Sequence, residues 1–179
     1  NDVRQFIDEM VARHGMDQAT LAKLFSAAPR LPRVIKAIMP PSDSGIRSWQ
    51  AYRARFVEPK RIAAGHRFMQ AHAAKLAEAE ARFGVPGEII AAIIGVETIY
   101  GRHTGRFATF AALTTLAFDY PPRAALFRRE LEELLLLARE ERRSPLDYRG
   151  SYAGALGLPQ FLPSSLRRHG KDFDGDGRV

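Results

Sequence analysis

The chain has 179 residues, a formal net charge of +7 and no cysteine. With 46% apolar residues, 14 glycines and 11 prolines it can bury a core, and it is neither a disordered nor a collagenous chain. The missing cysteines exclude a disulfide scaffold, a thiolate-ligated metal and a thiol nucleophile. No apolar run reaches the ~18 residues of a membrane span, and the opening NDVRQFIDEM does not read as a signal peptide.

The positive charge is uneven. Residues 1–83 carry 14 basic and 8 acidic side chains, whereas residues 84–179 carry 13 and 12. No run of four basic residues occurs, and the charge is not gathered in the stripe that phosphate binding needs, so nucleic acid is not an expected partner. A solvated basic surface is the simple reading, and attraction to some other anionic polymer stays open.

In chain order, Phe6, Ile7, Met10 and Val11 recur at helical spacing before Gly15, and Leu21, Leu24 and Phe25 share a face between Asp17 and Ala28. Residues 39–48 read as a proline- and serine-rich loop, after which Trp49, Tyr52 and Phe56 restore helical spacing. Residues 60–83 predict one continuous helix, with Ile62, Met69, Leu76 and Phe83 seven apart and Gly84 as its stop. The helix from Pro86 to Tyr100 is apolar nearly all round and reads as a core helix. Another covers Pro122 to Arg143, with Leu126, Phe127, Leu131, Leu134, Leu135 and Ala138 inside. Its glutamates at 130, 132, 133, 140 and 141 and its arginines form a solvated face. Residues 144–165 then change texture, crowding Gly150, Gly154, Gly157, Pro159 and Pro163 into a segment where backbone can approach something closely.

Glu97 is the residue out of place. On a helix it shares the face of Ile90, Ile93 and Ile94, so its carboxylate points toward apolar surroundings. Such a group either keeps its proton near neutral pH, as a general acid must, or forms an ion pair with Arg102, Arg106 or a remote arginine. The residues alone leave both readings open. Ordinary glycoside hydrolysis needs two carboxylates, and Asp119 and Asp147 read better as cap or surface residues than as the second one. The five histidines form no metal-binding pattern, and neither a phosphate loop nor a serine-hydrolase elbow is present. At the end of the chain Asp172, Asp174 and Asp176, with Gly177 behind them, match the first half of a calcium loop.

Four segments together resemble one family. AIIGVETIYGRHTG (92–105), LAFDYPPRAALFRRELEELLLLAREE (116–141), GSYAGALGLPQFLPSS (150–165) and DFDGDG (172–177) are similar to the lytic murein transglycosylase B family, glycoside hydrolase family 103. The resemblance implies an all-α, lysozyme-like catalytic core at residues 84–179, with a helical region at 1–83 before it and a partial EF-hand-like loop at 172–179. It also implies that the chain is incomplete at the C-terminus, because the family's catalytic region continues past the calcium loop.

By the same resemblance Glu97 is the single acid and then base in cleaving the β-1,4 bond between N-acetylmuramic acid and N-acetylglucosamine of peptidoglycan, giving 1,6-anhydro ends. Tyr100, Ser151, Tyr152 and Gln160 match positions that shape or touch the sugar-binding groove. No cofactor is needed for the chemistry, and Asp172, Asp174 and Asp176 would hold a structural calcium ion in the full-length protein. The expected partner is the peptidoglycan glycan strand. The expected place is the bacterial periplasm, either free or held at the outer membrane by a lipid anchor upstream. The chain departs from the family at Gly154-Ala155-Leu156-Gly157, where a GxMG pattern is usual, at Phe107-Ala108-Thr109-Phe110 and at residues 144–149. Two other readings remain: a muramidase that admits water, and a non-enzymatic peptidoglycan-binding protein.

Overall fold

A computed structural model describes residues 2–40 and 48–179 of the chain. Residues 41–47, most of the expected proline- and serine-rich loop, lie outside the described residues. The architecture is helical, with ten α-helices and one two-stranded ribbon among the described residues. The chain groups into two compact units, one of Asn1–Met39, Gly105–Leu156 and Phe161–Val179, the other of Pro40–Thr104 and Gly157–Gln160. The sequence boundary at 83/84 falls inside the second unit.

The first unit is built on two helices, α8 (Thr109–Asp119) and α9 (Ala124–Glu140). Phe110, Ala112, Leu113, Leu116 and Ala117 of α8 are fully buried, facing Phe127, Leu131, Leu134 and Leu137 of α9. A buried leucine or phenylalanine is worth about 1.5–3 kcal/mol, so this pair holds the unit. α1 (Asp2–His14), α2 (Gln18–Ala27) and α3 (Pro32–Ile38) close it, adding Phe6, Met10, Leu21 and Val34. Asp17 caps α2 by accepting from the Thr20 N–H at 2.7 Å. α3 was not expected from the spacing; Pro32 is its first residue, where a missing N–H costs nothing.

The ribbon pairs β1 (Phe107–Ala108) antiparallel with β2 (Arg149–Gly150). Gly105 lies against Gly150, where an added Cβ would stand 2.0 Å from the Gly150 carbonyl carbon. The close approach that the glycine-rich segment permits is therefore made, at this point, to the protein's own backbone. α10 (Pro163–His169) follows, its first turn capped from α9 by Glu130, which accepts from the Ser164 N–H at 2.9 Å and hydroxyl at 2.7 Å. The solvated-face reading of α9 is corrected here: Glu130 is 4% exposed and Glu141 8%, each held by hydrogen bonds. Arg167 joins Glu133 and Glu140 at the rim. Asp119 pairs with Arg30 at 2.8 Å, a surface role.

The second unit holds α4 (Trp49–Phe56), α5 (Pro59–Ala71), α6 (Ala73–Phe83) and α7 (Gly87–Thr98). The single helix expected over 60–83 is broken at His72 (φ −116°, ψ 20°), whose ring packs on Phe68 with centroids 4.5 Å apart. Of the four residues spaced seven apart only Leu76 is buried, while Ile62 and Phe83 are 48% and 46% exposed. Glu80 of α6 caps α7 by accepting from the Gly87 N–H at 3.1 Å.

Candidate active site

Helix α7 carries Glu97, and its packing decides what that carboxylate meets. The residues it buries are Gly87, Ala91, Gly95 and Thr98, a seam of small side chains at helical spacing. α5 and α6 pack on this seam. Its isoleucines turn away: Ile89 is 52% exposed and Ile93 50%. The reading of α7 as a core helix is thereby corrected, and Glu97 lies exposed with Ile93 instead of buried. The physical reason is depth of contact, because glycine and alanine let helices approach closely and leave the bulky face outside. Among the described residues no ion pair involves Glu97, so the Arg102 and Arg106 alternatives are not realised.

The turn just after Glu97 is built with unusual backbone. Ile99 and Tyr100 are both left-handed (φ 51° and 56°), a costly conformation for side chains of this size. Tyr100 is held there by a slot: a Cβ at either Gly65 or Gly95 would stand 2.5 Å from its hydroxyl oxygen, and its ring lies 5.4 Å from that of Phe68. The tyrosine is thus a wedge between α5 and α7.

Thr98, which the sequence reading passed over, is fully buried beside Glu97. Its hydroxyl reaches the Ile94 and Leu158 carbonyls at 3.1 and 3.3 Å and accepts from the Gly101 N–H at 3.0 Å. Gln160 (φ 52°) donates from its amide to the carbonyls of Thr104 at 3.1 Å and Gly157 at 2.9 Å. Residues 157–160 of the glycine-rich segment are therefore tied to the chain just after Glu97. The signal for Thr98 was available in the sequence, as a polar residue inside an apolar helix next to the odd carboxylate.

Arg61 of α5 also braces α7. Arg61 donates to the Gly95 carbonyl at 3.3 Å and lies over the Phe56 ring, 5.1 Å from its centroid. Phe56 continues a row on α4 through Tyr52 (4.8 Å) to Trp49 (5.9 Å), the last two stacked at 26°. Trp49 is 67% exposed. The sequence showed this row only as helical spacing.

In the first unit, Ser151 is turned inward on its own loop, its hydroxyl accepting from the Ala153 and Ala155 N–H groups at 3.2 and 3.0 Å. Tyr152 is exposed. Asp172, Asp174 and Asp176 each offer an oxygen, all within 4.8 Å of one another. Asp172 accepts from the Gly175 and Gly177 N–H groups at 2.7 and 2.9 Å, and the Gly177 bond above all holds its carboxyl below the usual carboxylate range. Gly177 has φ 83°, as the sixth loop position requires. Three converging carboxylates of this kind suit a hard, oxygen-seeking cation such as calcium.

The transglycosylase SLT domain family matches residues 1–179. The membrane-bound lytic murein transglycosylase B of Escherichia coli (strain K12) is 42% identical over 187 residues, covering 99% of this chain and 52% of that protein. The solved soluble lytic transglycosylase SltB1 of Pseudomonas aeruginosa has a TM-score of 0.97 and 49% identity, covering 100% of this chain and 60% of that one. An Escherichia coli lytic transglycosylase solved in complex with calcium has a TM-score of 0.91 and 43% identity, covering 99% of this chain and 56% of that one. The chain belongs to the lytic murein transglycosylase B family, and its helical architecture is the lysozyme-like fold of those enzymes. It spans about half of the curated relative it matches.

Proposed function

We propose that the protein is a lytic transglycosylase of peptidoglycan, with Glu97 as its one acid and base. The observation that supports this most is the setting of Glu97: an accessible carboxyl with no ion-pair partner among the described residues, on a helix end fixed by Thr98, Tyr100 and Arg61. Two of the unit's other carboxylates have structural work to do. Glu58 caps α5 by accepting from the Arg61 N–H at 2.8 Å, and Glu80 caps α7. The catalytic region is taken as residues 84–179, with residues 1–83 as a helical region before it.

In the reaction, the protonated Glu97 gives its proton to the oxygen of the β-1,4 bond between N-acetylmuramic acid and N-acetylglucosamine as that bond breaks. The muramoyl N-acetyl oxygen closes on C1 and carries the positive charge. The Glu97 carboxylate then takes the proton from the C6 hydroxyl, whose oxygen displaces the N-acetyl group at C1 and closes the 1,6-anhydro ring. The proton balance returns to its start and no water is consumed, so one carboxyl suffices where ordinary hydrolysis needs two.

Tyr152 and the exposed Trp49–Tyr52 stack offer ring faces to sugar C–H groups. The inward hydrogen bonds of Ser151 and Gln160 suit them to shaping backbone, and the packing of Tyr100 suits it to holding the turn. Asp172, Asp174 and Asp176 would hold calcium, which would order their loop and take no part in bond cleavage. The relative solved with calcium supports this reading. A murein substrate implies a periplasmic location. No helix of the described residues is long and apolar enough to cross a membrane.

Glu97→Gln should lower the release of muropeptides from purified peptidoglycan by about 10²–10⁴-fold, the usual worth of general acid–base catalysis. Its unfolding midpoint should stay unchanged. Wild-type turnover in the variant would refute the assignment.

A further inference from the structure

The acidic loop is anchored from outside by a residue that the catalytic reading does not use. Three successive backbone N–H groups at its end are each held by a carboxylate: Gly177 by Asp172 at 2.9 Å, Arg178 by Asp176 at 2.9 Å and Val179 by Glu141 at 3.1 Å. The first two carboxylates belong to the loop. The third comes from the end of α9, and its other oxygen accepts from the Tyr148 hydroxyl at 2.5 Å.

Glu141 and Tyr148 are only 8% and 5% exposed. Burial, reinforced by Glu141, keeps the Tyr148 phenol well above its ordinary pKa, so it remains a donor. Arg143 covers the Tyr148 ring, 4.4 Å from its centroid. The Tyr148 carbonyl accepts from the Thr109 N–H at 3.0 Å, immediately before β2 begins. A buried carboxylate costs several kcal/mol unless its oxygens are partnered, and an apolar residue could fill the same space at lower cost. Packing therefore gives no reason for an acid at position 141, whereas a need to hold the Val179 N–H does.

We propose that Glu141, oriented by Tyr148, is a positioning residue for the cation loop. It fixes the backbone after Gly177 so that the Asp172, Asp174 and Asp176 oxygens converge. The inference rests on the calcium reading of that loop.

Calorimetric titration of the protein with calcium chloride tests it, using Tyr148→Phe, Glu141→Ala, Glu141→Gln and Asp172→Asn. Tyr148→Phe keeps every charge, so a change in affinity cannot be put down to net electrostatics. The account expects Tyr148→Phe to bind several-fold more weakly and Glu141→Ala about tenfold more weakly, the worth of a hydrogen bond to a charged group. Glu141→Gln, which keeps an acceptor for Val179, should lose less than Glu141→Ala. Calcium should also alter the near-ultraviolet tyrosine circular dichroism of the wild type, and Tyr148→Phe should lose that change. If Asp172→Asn abolishes binding while the Glu141 and Tyr148 variants bind like the wild type, the anchoring role is overturned and the calcium reading survives. If the wild type itself does not bind calcium, both fail.

Discussion

Helices α7 and α8 are both rich in apolar residues, yet they use them in opposite ways. α8 buries its large side chains, with Phe110, Leu113 and Leu116 fully inaccessible against α9. α7 buries glycine, alanine and threonine and turns Ile89, Ile93 and Val96 outward. Hydrophobicity alone does not say which face a helix packs with. When one face is lined by small residues four apart, close backbone approach can win over burial of bulk, and the residues beside the bulky face are then left accessible. Glu97 is one of those.

Substitutions can break or sharpen this contrast. Leu113→Ala in α8 should cost the most, about 2–5 kcal/mol by denaturant unfolding, as for other fully buried leucines. In α7 the sensitive position should be a glycine. A Cβ at Gly95 would stand 2.5 Å from the Tyr100 hydroxyl oxygen and 2.6 Å from its ring carbon. Overpacking of this kind costs about 1–3 kcal/mol and outweighs the ~1 kcal/mol by which alanine favours helix, so Gly95→Ala should lower stability. Ile93→Ala, on the open face, should change stability of this chain by less than about 0.5 kcal/mol. A larger loss at Ile93 than at Gly95 would reverse the account of α7.

Acid should affect the α8–α9 unit through its bordering ion pairs. The Arg167 guanidinium holds the Glu140 carboxyl below its ordinary value of 4.5. Because the folded pKa is the lower one, this contribution is complete above the unfolded value and disappears as pH falls through the folded value. Glu140→Gln should therefore be slightly less stable than wild type at neutral pH, with the difference vanishing in strong acid. An unfolding-midpoint difference that persists there would contradict the pairing. The effect should be the smallest of the set, since Glu140 is half exposed.

Much of this was legible in the sequence. α1, α2 and α9 follow from helical spacing and stops, and the four motifs in order pointed to the family. Glu97 was found because a carboxylate interrupts an apolar helix, but the reason given for its importance, burial, was mistaken. Periodicity counts large apolar residues and is blind to a seam of Gly87, Ala91 and Gly95. For the same reason the stripe from Ile62 to Phe83 suggested one buried helix where the chain turns at His72. Glu130 and Glu141 were read as solvent-facing because their partners, Ser164 in one case and Tyr148 and Val179 in the other, lie on later segments that local spacing does not reveal.

In the proposed reaction one carboxyl acts as acid and then base, with the sugar's own C6 hydroxyl as the acceptor. Mass spectrometry of the new ends formed on purified peptidoglycan tests it most directly. The wild type should give 1,6-anhydro-muramoyl ends, and Glu97→Gln should form them about 10²–10⁴-fold more slowly. Reducing muramic acid ends would mean that water is the acceptor, as in a muramidase, and no new ends at all would point to a binding protein.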